Sequence, residues 1–451
     1  MLMSMQASSA SWKEENRQLT RLAFPTLVAT LSTPFVSLAN TAMVGHLPGA
    51  WPLAAVAMAS VIYGVLVTVL SPFRGLSIGL CGQWFGRGEH AKATDWTLWG
   101  LVIAFVFGGA VAAAGPWLAA ASLALYTAEG PLREGYMTYL TTRLWELPFV
   151  VGQMFLLGHL RGYQRAWFPM AVTVLIGLST VGLSAWWIYG LGWGVEGAAR
   201  AAVAANGLGF LASLVGWWWV IRPEWAPVRL WDHRTVLLAM HRVFGWGVAR
   251  SLLLMGALAA FTVAASHLGT VEVAAHAVLM ELWLLSSFAI DGFAYGQEAL
   301  VARRLGEGDR PRLRMAAILG LAWCLGVGAL FALLFGLAGV PIAGLFTSDA
   351  RVAAACATAM VVVVLLQPVV AVAYWADGIL TAAVDLKAAF WTVAAGVLAG
   401  LLLLPWSREH GLLGVWWGVA AFSFARSAWA LWVCWPYLGD GPAMQKEAGG
   451  P

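Results

Sequence analysis

Charged residues are scarce in this sequence. Only 11% of its 451 residues are Asp, Glu, Lys or Arg, whereas a water-soluble domain carries about a quarter. So few charges cannot cover a folded surface with polar side chains, which excludes an ordinary water-soluble protein. Lipid must surround most of the chain. In lipid every backbone N–H and C=O needs a partner within the protein, and this requirement leaves a helical bundle or a closed β-barrel.

Cysteines are also few, and no two of them are close in the sequence. Cys81, Cys324, Cys356 and Cys434 each lie alone in an apolar stretch, as is typical of small buried residues rather than of disulfides or metal ligands. The sequence also lacks a Walker-type phosphate loop and a pair of histidines four residues apart. We therefore expect neither an enzyme nor a cofactor. Without a nucleotide site, transport would have to be driven by an ion gradient.

Long apolar stretches are abundant. Hydrophobic residues make up 61% of the chain, and the apolar stretches reach the length of about 20 residues that a helix needs to cross a bilayer. Barrel strands are shorter, about 10 residues, and alternate in polarity. The sequence therefore predicts an all-α polytopic membrane protein with twelve spans. These are residues 18–45, 52–82, 94–122, 131–159, 168–191, 195–221, 240–267, 273–302, 313–345, 350–381, 386–406 and 411–438.

The basic residues between these spans predict the orientation of the chain. One set of loops holds little beyond Arg133, Arg351 and Arg408. The opposite set holds Lys13, Arg17, Arg87, Lys92, Arg161, Arg165, Arg222, Arg229, Arg234, Arg242, Arg303, Arg304, Arg310, Arg312, Arg314, Lys387 and Lys446. Because cytoplasmic loops carry the excess of Lys and Arg, both termini are expected in the cytoplasm. This placement accounts for the net charge of +4 without a nucleic-acid partner.

Two halves of the chain resemble each other about 220 residues apart. His46-Leu-Pro-Gly begins a stretch that ends in Gly86-Arg-Gly-Glu, and His267-Leu-Gly-Thr begins one that ends in Gly306-Glu-Gly-Asp. Since each half has six spans, the repeats are parallel and predict two lobes around a central cavity. The expected parts are a cytoplasmic N-terminal tail (1–17), an N-lobe (18–221), a cytoplasmic linker (222–239), a C-lobe (240–438) and a cytoplasmic C-terminal tail (439–451).

Ionisable residues within predicted spans are costly in lipid, so each of them is a candidate for function. The second half carries Glu281, Asp291 and Glu298 in span 8 and Asp377 in span 10. A buried carboxylate can take up and release a proton or, with carbonyl oxygens, hold sodium. Arg250 in span 7 is a possible counter-charge. The alternative is a static ion pair that only fixes the packing of the helices.

The first half has fewer candidates. Arg143 and Glu146 in span 4 are three residues apart and are expected to pair along the helix as a structural feature. Arg200 and Arg426, in spans 6 and 12, are expected to pair or to reach the interface. Pro25 and Pro34 in span 1 interrupt backbone bonding, so they are candidates either for a hinge or for a fixed kink.

Several motifs resemble the multidrug and toxic compound extrusion (MATE) family. The stretch Leu38-Ala-Asn-Thr-Ala-Met-Val-Gly-His-Leu is similar to the family signature VDTAMVGHLG, and Arg161-Gly-Tyr-Gln and Gly190-Leu-Gly-Trp-Gly-Val-Glu-Gly-Ala-Ala-Arg also match. Ile290-Asp-Gly-Phe-Ala-Tyr-Gly-Gln-Glu-Ala-Leu-Val and Asp377-Gly-Ile resemble the DinF-type branch. The resemblance extends over residues 18–438. It implies a two-lobed monomer of the bacterial inner membrane that exports small amphipathic organic cations in exchange for protons or sodium ions.

The sequence departs from the family in the N-lobe pocket. Asn40 stands where the family has an acidic residue in span 1, and Ser184 stands at the position of its span 5 aspartate. Neither side chain titrates, so we expect ion coupling in the C-lobe. Asp291 and Asp377 are the main candidates, with a sodium ion as one occupant, and Glu298, Glu281 and Arg250 stand beside them.

Two other functions stay open. A lipid-linked precursor flippase of the same superfamily would need a strongly cationic cavity, whereas the arginines within the spans are scattered through the sequence. A membrane scaffold or receptor that has lost ion coupling would explain Asn40 and Ser184.

Overall fold

The structure is a computed structural model that describes residues 2–49, 51–126, 128–222, 243–346 and 349–438. The predicted C-terminal tail and all of the predicted linker but Arg222 lie outside these ranges. The described chain is helical and contains no strand. Its helices are α1 (Leu2–Gly45), α2 (Trp51–Leu70), α3 (Pro72–Arg87), α4 (His90–Ala113), α5 (Gly115–Ser122), α6 (Gly130–Arg143), α7 (Leu147–Gly162), α8 (Trp167–Ala185), α9 (Gly194–Ile221), α10 (Val248–Leu268), α11 (Thr270–Glu307), α12 (Arg310–Ala343), α13 (Ala350–Ala382), α14 (Leu386–Leu403) and α15 (Ser407–Leu438).

Twelve membrane-crossing segments can be identified among these helices. Ten helical stretches are long and apolar enough to cross a bilayer. The last of them, Leu386–Leu438, contains two spans, because the backbone at Gly411 is not helical (φ 60°, ψ −142°). A further span runs from Gly130 to Gly162 through α6, a 3-10 turn and α7. The twelve-helix, all-α fold predicted from the sequence is therefore confirmed.

The chain forms two compact units. Of the described residues, those from 28 to 222 form the N-terminal unit, and those from 2 to 27 and from 243 to 438 form the C-terminal unit. The boundary falls inside α1, between Leu27 and Val28. The first part of α1 therefore packs with the C-terminal unit, although the sequence suggested that all of span 1 belongs to the N-lobe. From Leu2 onward, the stretch expected as an N-terminal tail is also part of this helix.

The internal repeat reappears in the turns of the two units. Gly88 and Gly308 each end a helix in the left-handed region, with φ of 72° and 69°, where a residue without Cβ is favoured. Gln164 and Val384 also have positive φ, at 61° and 62°, which is rare for a β-branched residue such as valine. Both pairs are separated by 220 residues, the period found in the sequence. Each of these two turns thus occurs once in each unit.

Small residues allow the helices within each unit to approach closely, as is common in membrane proteins. In the C-terminal unit, a Cβ added to Gly296 would lie 2.7 Å from the Ala23 Cα atom, so α1 and α11 are in backbone contact there. In the N-terminal unit, a Cβ at Gly162 would lie 2.7 Å from the Gly82 nitrogen, between α7 and α3. The four cysteines are buried and free.

Candidate functional site

A charged cluster in the C-terminal unit joins three helices around Asp377. The Nη2 atom of Arg250 on α10 donates to Asp377 Oδ2 on α13 at 2.6 Å. The Nη2 atom of Arg426 on α15 donates to the same oxygen. Their side chains are 22%, 19% and 6% exposed for Arg250, Asp377 and Arg426, respectively. The structure thus pairs Asp377 with Arg250, and with a second arginine that the sequence analysis did not connect to it.

The glycine after Asp377 explains how α13 comes close to α11. A Cβ at Gly378 would lie 2.8 Å from the Ala294 carbonyl oxygen. Only a residue without a side chain allows this approach of α13 to the backbone of α11. The Asp377-Gly378 pair therefore places a carboxylate on one face of α13 and a close helix contact beside it. The hydroxyl of Thr381 donates to the Asp377 carbonyl at 2.6 Å, one turn further on.

Arg426 is embedded in aromatic side chains. Its guanidinium carbon lies 5.7 Å from the centre of the Tyr374 ring and 6.0 Å from that of Phe422. Ring faces attract a guanidinium, most strongly where water is excluded. The Nε atoms of Arg250 and Arg426 are both buried without a hydrogen-bond partner among the described residues. Each arginine therefore uses only part of its donor set on Asp377.

Tyr374 connects this cluster electrostatically with the second aspartate. Asp291 on α11 is partly buried and lies close enough to Tyr374 to interact with it, as do Asp377 and Arg426. Asp291 also acts on Cys324 of α12. The two aspartates predicted as coupling candidates therefore lie within electrostatic reach of the same tyrosine. The charges of Arg250, Arg426, Asp291 and Asp377 sum to zero when both aspartates are ionised.

The other two acidic candidates differ in their surroundings. Glu298 is only 1% exposed and lies two turns beyond Asp291 on α11, so it is a buried group of the same helix. Glu281 has an exposed side chain.

In the N-terminal unit, the two positions that the sequence analysis matched to acidic residues of the family carry buried oxygens. Asn40 Oδ1 and Ser184 Oγ have no hydrogen-bond partner among the residues that the structure describes. Pro25 and Pro34 both lie inside α1, which continues through them without interruption. Across the described ranges, no group of three His, Cys, Asp or Glu side chains is arranged to hold a metal ion.

A second buried cluster lies in the N-terminal unit around Glu146. Its Oε2 atom is 3.3 Å from Arg143 Nε, and its Oε1 atom accepts from Asn206 Nδ2 at 2.7 Å. Arg143 donates to the Tyr139 hydroxyl and lies over the Tyr63 ring at 4.5 Å. The spacing of Arg143 and Glu146 predicted that they would pair. Asn206 and the two tyrosines could not be assigned to this cluster from sequence spacing.

A third cluster fixes the start of α1 within the C-terminal unit. Arg304 Nη2 donates to Glu15 Oε1 at 2.5 Å and to Gln18 Oε1 at 2.8 Å, and Arg304 Nη1 donates to Glu307 Oε2 at 2.5 Å. The side chains of Glu15 and Arg304 are 1% and 2% exposed. The Trp323 indole also donates to Asn16 at 2.8 Å. From the sequence, Arg304 was interpreted only as a basic residue of a cytoplasmic loop, because its partner Glu15 is 289 residues away.

Comparison with known proteins identifies relatives over most of the chain. The model of the MatE family matches residues 25–186 and 248–406. DNA damage-inducible protein F of Escherichia coli is 28% identical over 438 residues, which are 92% of each chain. The probable multidrug resistance protein NorM of Rhizobium meliloti is 26% identical over 404 residues, 87% of this chain and 83% of that protein. The bent form of the Vibrio cholerae MATE transporter VcmN has the same fold, with a TM-score of 0.87 at 20% identity over 95% of this chain and 98% of that one.

Proposed function

The chain belongs to the MatE family, and from this premise we propose that it exports small organic compounds by secondary active transport. The names of its relatives include multidrug resistance proteins, and transporters of this family bind small organic substrates. The finer proposal is an antiporter. Protons or sodium ions move inward, and an amphipathic organic cation moves outward by alternating access. We place it as a monomer in a bacterial inner membrane, with both termini in the cytoplasm.

The observation that carries the proposal is the Asp377 cluster. Three helices contribute charged side chains to one point inside a membrane-spanning unit. Such groups are expensive in lipid, and they mark ion or substrate pathways. In the ionised state, Asp377 holds Arg250 and Arg426 against α13. An ion on Asp377 competes with these two bonds, so ion binding is linked to the positions of α10 and α15.

The net charge of the cluster changes with ion binding in the direction that antiport requires. Protonation of Asp377 removes one negative charge and leaves both guanidiniums in place, so the cluster becomes more positive. A cationic substrate nearby is then disfavoured. Loss of the proton reverses the effect and favours the substrate. Proton and organic cation are therefore mutually exclusive.

The flippase alternative has one observation in its favour. Arg250 and Arg426, which are far apart in the sequence, converge in space. Both donate to Asp377, however, so a large part of their charge is already neutralised. An anionic lipid pyrophosphate would have to displace that carboxylate. The exporter therefore accounts better for this cluster.

Proteoliposomes loaded at different pH or sodium concentration test the proposal. A fluorescent organic cation should accumulate in vesicles with an acidic interior, and this accumulation should be lost in Asp377→Asn and Asp291→Asn. Glu196→Gln is a matched control, since Glu196 pairs with Arg200 at the exposed surface of the N-terminal unit. Since Asp377→Asn leaves two arginines without their carboxylate, the folded state of each variant is checked by size-exclusion chromatography. Unchanged accumulation in both folded aspartate variants would contradict the proposal.

A further inference from the structure

The hydrogen bonding of span 4 changes from α-helical to 3-10 in its middle, at the residue that carries its only buried carboxylate. The helix of residues 130–162 is interrupted by the 3-10 turn Leu144–Glu146, and Pro148 follows two residues after Glu146. Glu146 is 5% exposed. An acidic residue at the start of α7 also lies at the positive end of that helix.

The ion pair of Glu146 is incomplete. Glu146 Oε1 accepts from Asn206, but Glu146 Oε2 and Arg143 Nε, 3.3 Å apart, are both buried without a hydrogen-bond partner among the described residues. A pair that served only packing would be expected to satisfy these atoms, since an unsatisfied buried polar group costs about 1–3 kcal/mol. Unsatisfied groups of this kind call for an explanation other than packing.

Arg143 does not depend on Glu146 alone. It donates to the Tyr139 hydroxyl, and its guanidinium carbon lies 4.5 Å from the centre of the Tyr63 ring and 5.6 Å from that of Tyr139. Two tyrosines can hold a cation in a desolvated place. Neutralising Glu146 would therefore not leave Arg143 without partners. This distinguishes the cluster from an ordinary buried ion pair, in which loss of one charge strands the other.

We propose that Glu146 is a proton acceptor of the N-terminal unit and couples proton movement to transport there. The inference rests on the proposed antiport and deepens it, because Asn40 and Ser184 leave this unit without the acids that the family carries. The proton binds to Oε2, the oxygen that lies 3.3 Å from Arg143 Nε, and converts the neutral Arg143–Glu146 pair into a site with one positive charge. That change disfavours an organic cation nearby, with the sign that antiport requires.

A proton suits this site better than a sodium ion. The charged and titratable side chains that act directly on Glu146 are Arg143 and Tyr63, and Tyr139 reaches it through Arg143. From α9 the carboxylate meets the amide nitrogen of Asn206, not its oxygen. Sodium needs several oxygen ligands and would lie close to a guanidinium. A proton needs only one carboxylate oxygen.

Infrared difference spectroscopy on the purified full-length protein tests the inference without relying on transport. Among the carboxylic acid C=O components that appear on acidification, one should be missing from Glu146→Gln and present in the control Glu196→Gln, since the other accessible carboxyl groups protonate in every variant. A second variant with Arg143→Gln and Glu146→Gln removes both charges and should also lack this component. If the single variant does not fold, the double variant supplies the same comparison. An unchanged set of these C=O components in either folded variant, or loss of the same component in Glu196→Gln, would refute the assignment to Glu146.

Uptake driven by a pH gradient then tests coupling. Glu146→Gln should lose this uptake and Glu196→Gln should keep it. A band that belongs to Glu146 together with unchanged uptake in Glu146→Gln would overturn the coupling role. If the wild-type protein transports nothing, the proposed antiport fails, whereas the infrared result still decides whether Glu146 accepts a proton.

Discussion

The buried pair of Glu15 and Arg304 provides a quantitative test of how the start of α1 is held. Arg304 donates to Glu15, Gln18 and Glu307, so Arg304→Gln removes the charge that serves all three. It leaves the Glu15 carboxylate 1% exposed, with Arg312 Nε at 3.8 Å as its remaining cation. Breaking a buried pair from one side typically costs about 3–5 kcal/mol. We expect Arg304→Gln to lower the free energy of unfolding by about that amount.

Two further variants allow the predicted losses in the free energy of unfolding to be ranked. Glu15→Gln keeps an oxygen that can accept from Arg304, whose charge is still balanced by Glu307, so its cost should be about 1–3 kcal/mol. Arg303→Gln changes the neighbouring residue, whose side chain is 31% exposed and pairs with Glu307 at 2.6 Å. Partly exposed pairs contribute about 1 kcal/mol or less.

Unfolding in mixed micelles, followed by circular dichroism as the fraction of denaturing detergent rises, measures these differences. The combined variant Glu15→Gln with Arg304→Gln should cost less than the sum of the two single variants, because both remove the same interaction. If Arg304→Gln proved no more destabilising than Arg303→Gln, the inference that this pair fixes α1 in the C-terminal unit would be wrong.

Two smaller predictions concern local structure. Gly296→Val should destabilise the C-terminal unit, because the added Cβ meets the Ala23 backbone at 2.7 Å; thermal unfolding checks this, and an unchanged midpoint would contradict it. Asp349 caps α13 by accepting from the Arg351 amide at 2.8 Å, and bonding to Arg351 lowers the pKa of the Asp349 carboxyl. This cap is fully formed above the ordinary pKa of an aspartate and is lost as the pH falls through the lowered one. The Arg351 amide should therefore exchange faster in Asp349→Ala at neutral pH, and an equal rate in both proteins would exclude the cap.

The fold was accessible from the sequence because its determinants are local. Each span is a continuous apolar stretch, and one of the repeated turns carries a glycine in both halves, Gly88 and Gly308. Position in the chain did not predict which unit the first part of α1 packs with, since span 1 was assigned to a single lobe. Its packing up to Leu27 depends on Gly292 and Gly296 of α11, where the backbones of the two helices approach closely. Such contacts join residues more than 260 positions apart and leave no periodic signal.

The candidate site was only partly accessible for the same reason. Asp377 and Arg250 stood out as charges inside apolar stretches. Arg426 stood out as well, but nothing in the sequence connected it with Asp377. Glu281 looked equivalent to the other acids by composition, yet its side chain is exposed. Exposure depends on which face of a helix is covered, and apolar spans carry little information about that face.

The N-terminal cluster shows a different limit. The spacing of Arg143 and Glu146 was enough to predict that they pair, and pairing alone suggested a structural role. The unsatisfied oxygen of Glu146 and the tyrosines around Arg143 become visible only in three dimensions. These features, rather than the spacing, motivate the coupling role proposed for Glu146.

Proton flux that accompanies substrate movement is the most direct test of the account. Proteoliposomes that contain the protein are given an external organic cation and no initial pH gradient, with a pH indicator inside and the membrane potential clamped. Antiport predicts that the interior becomes alkaline as the cation enters, and that Asp377→Asn abolishes this response. Entry of the cation without any proton movement, or with protons moving in the same direction, would contradict the account.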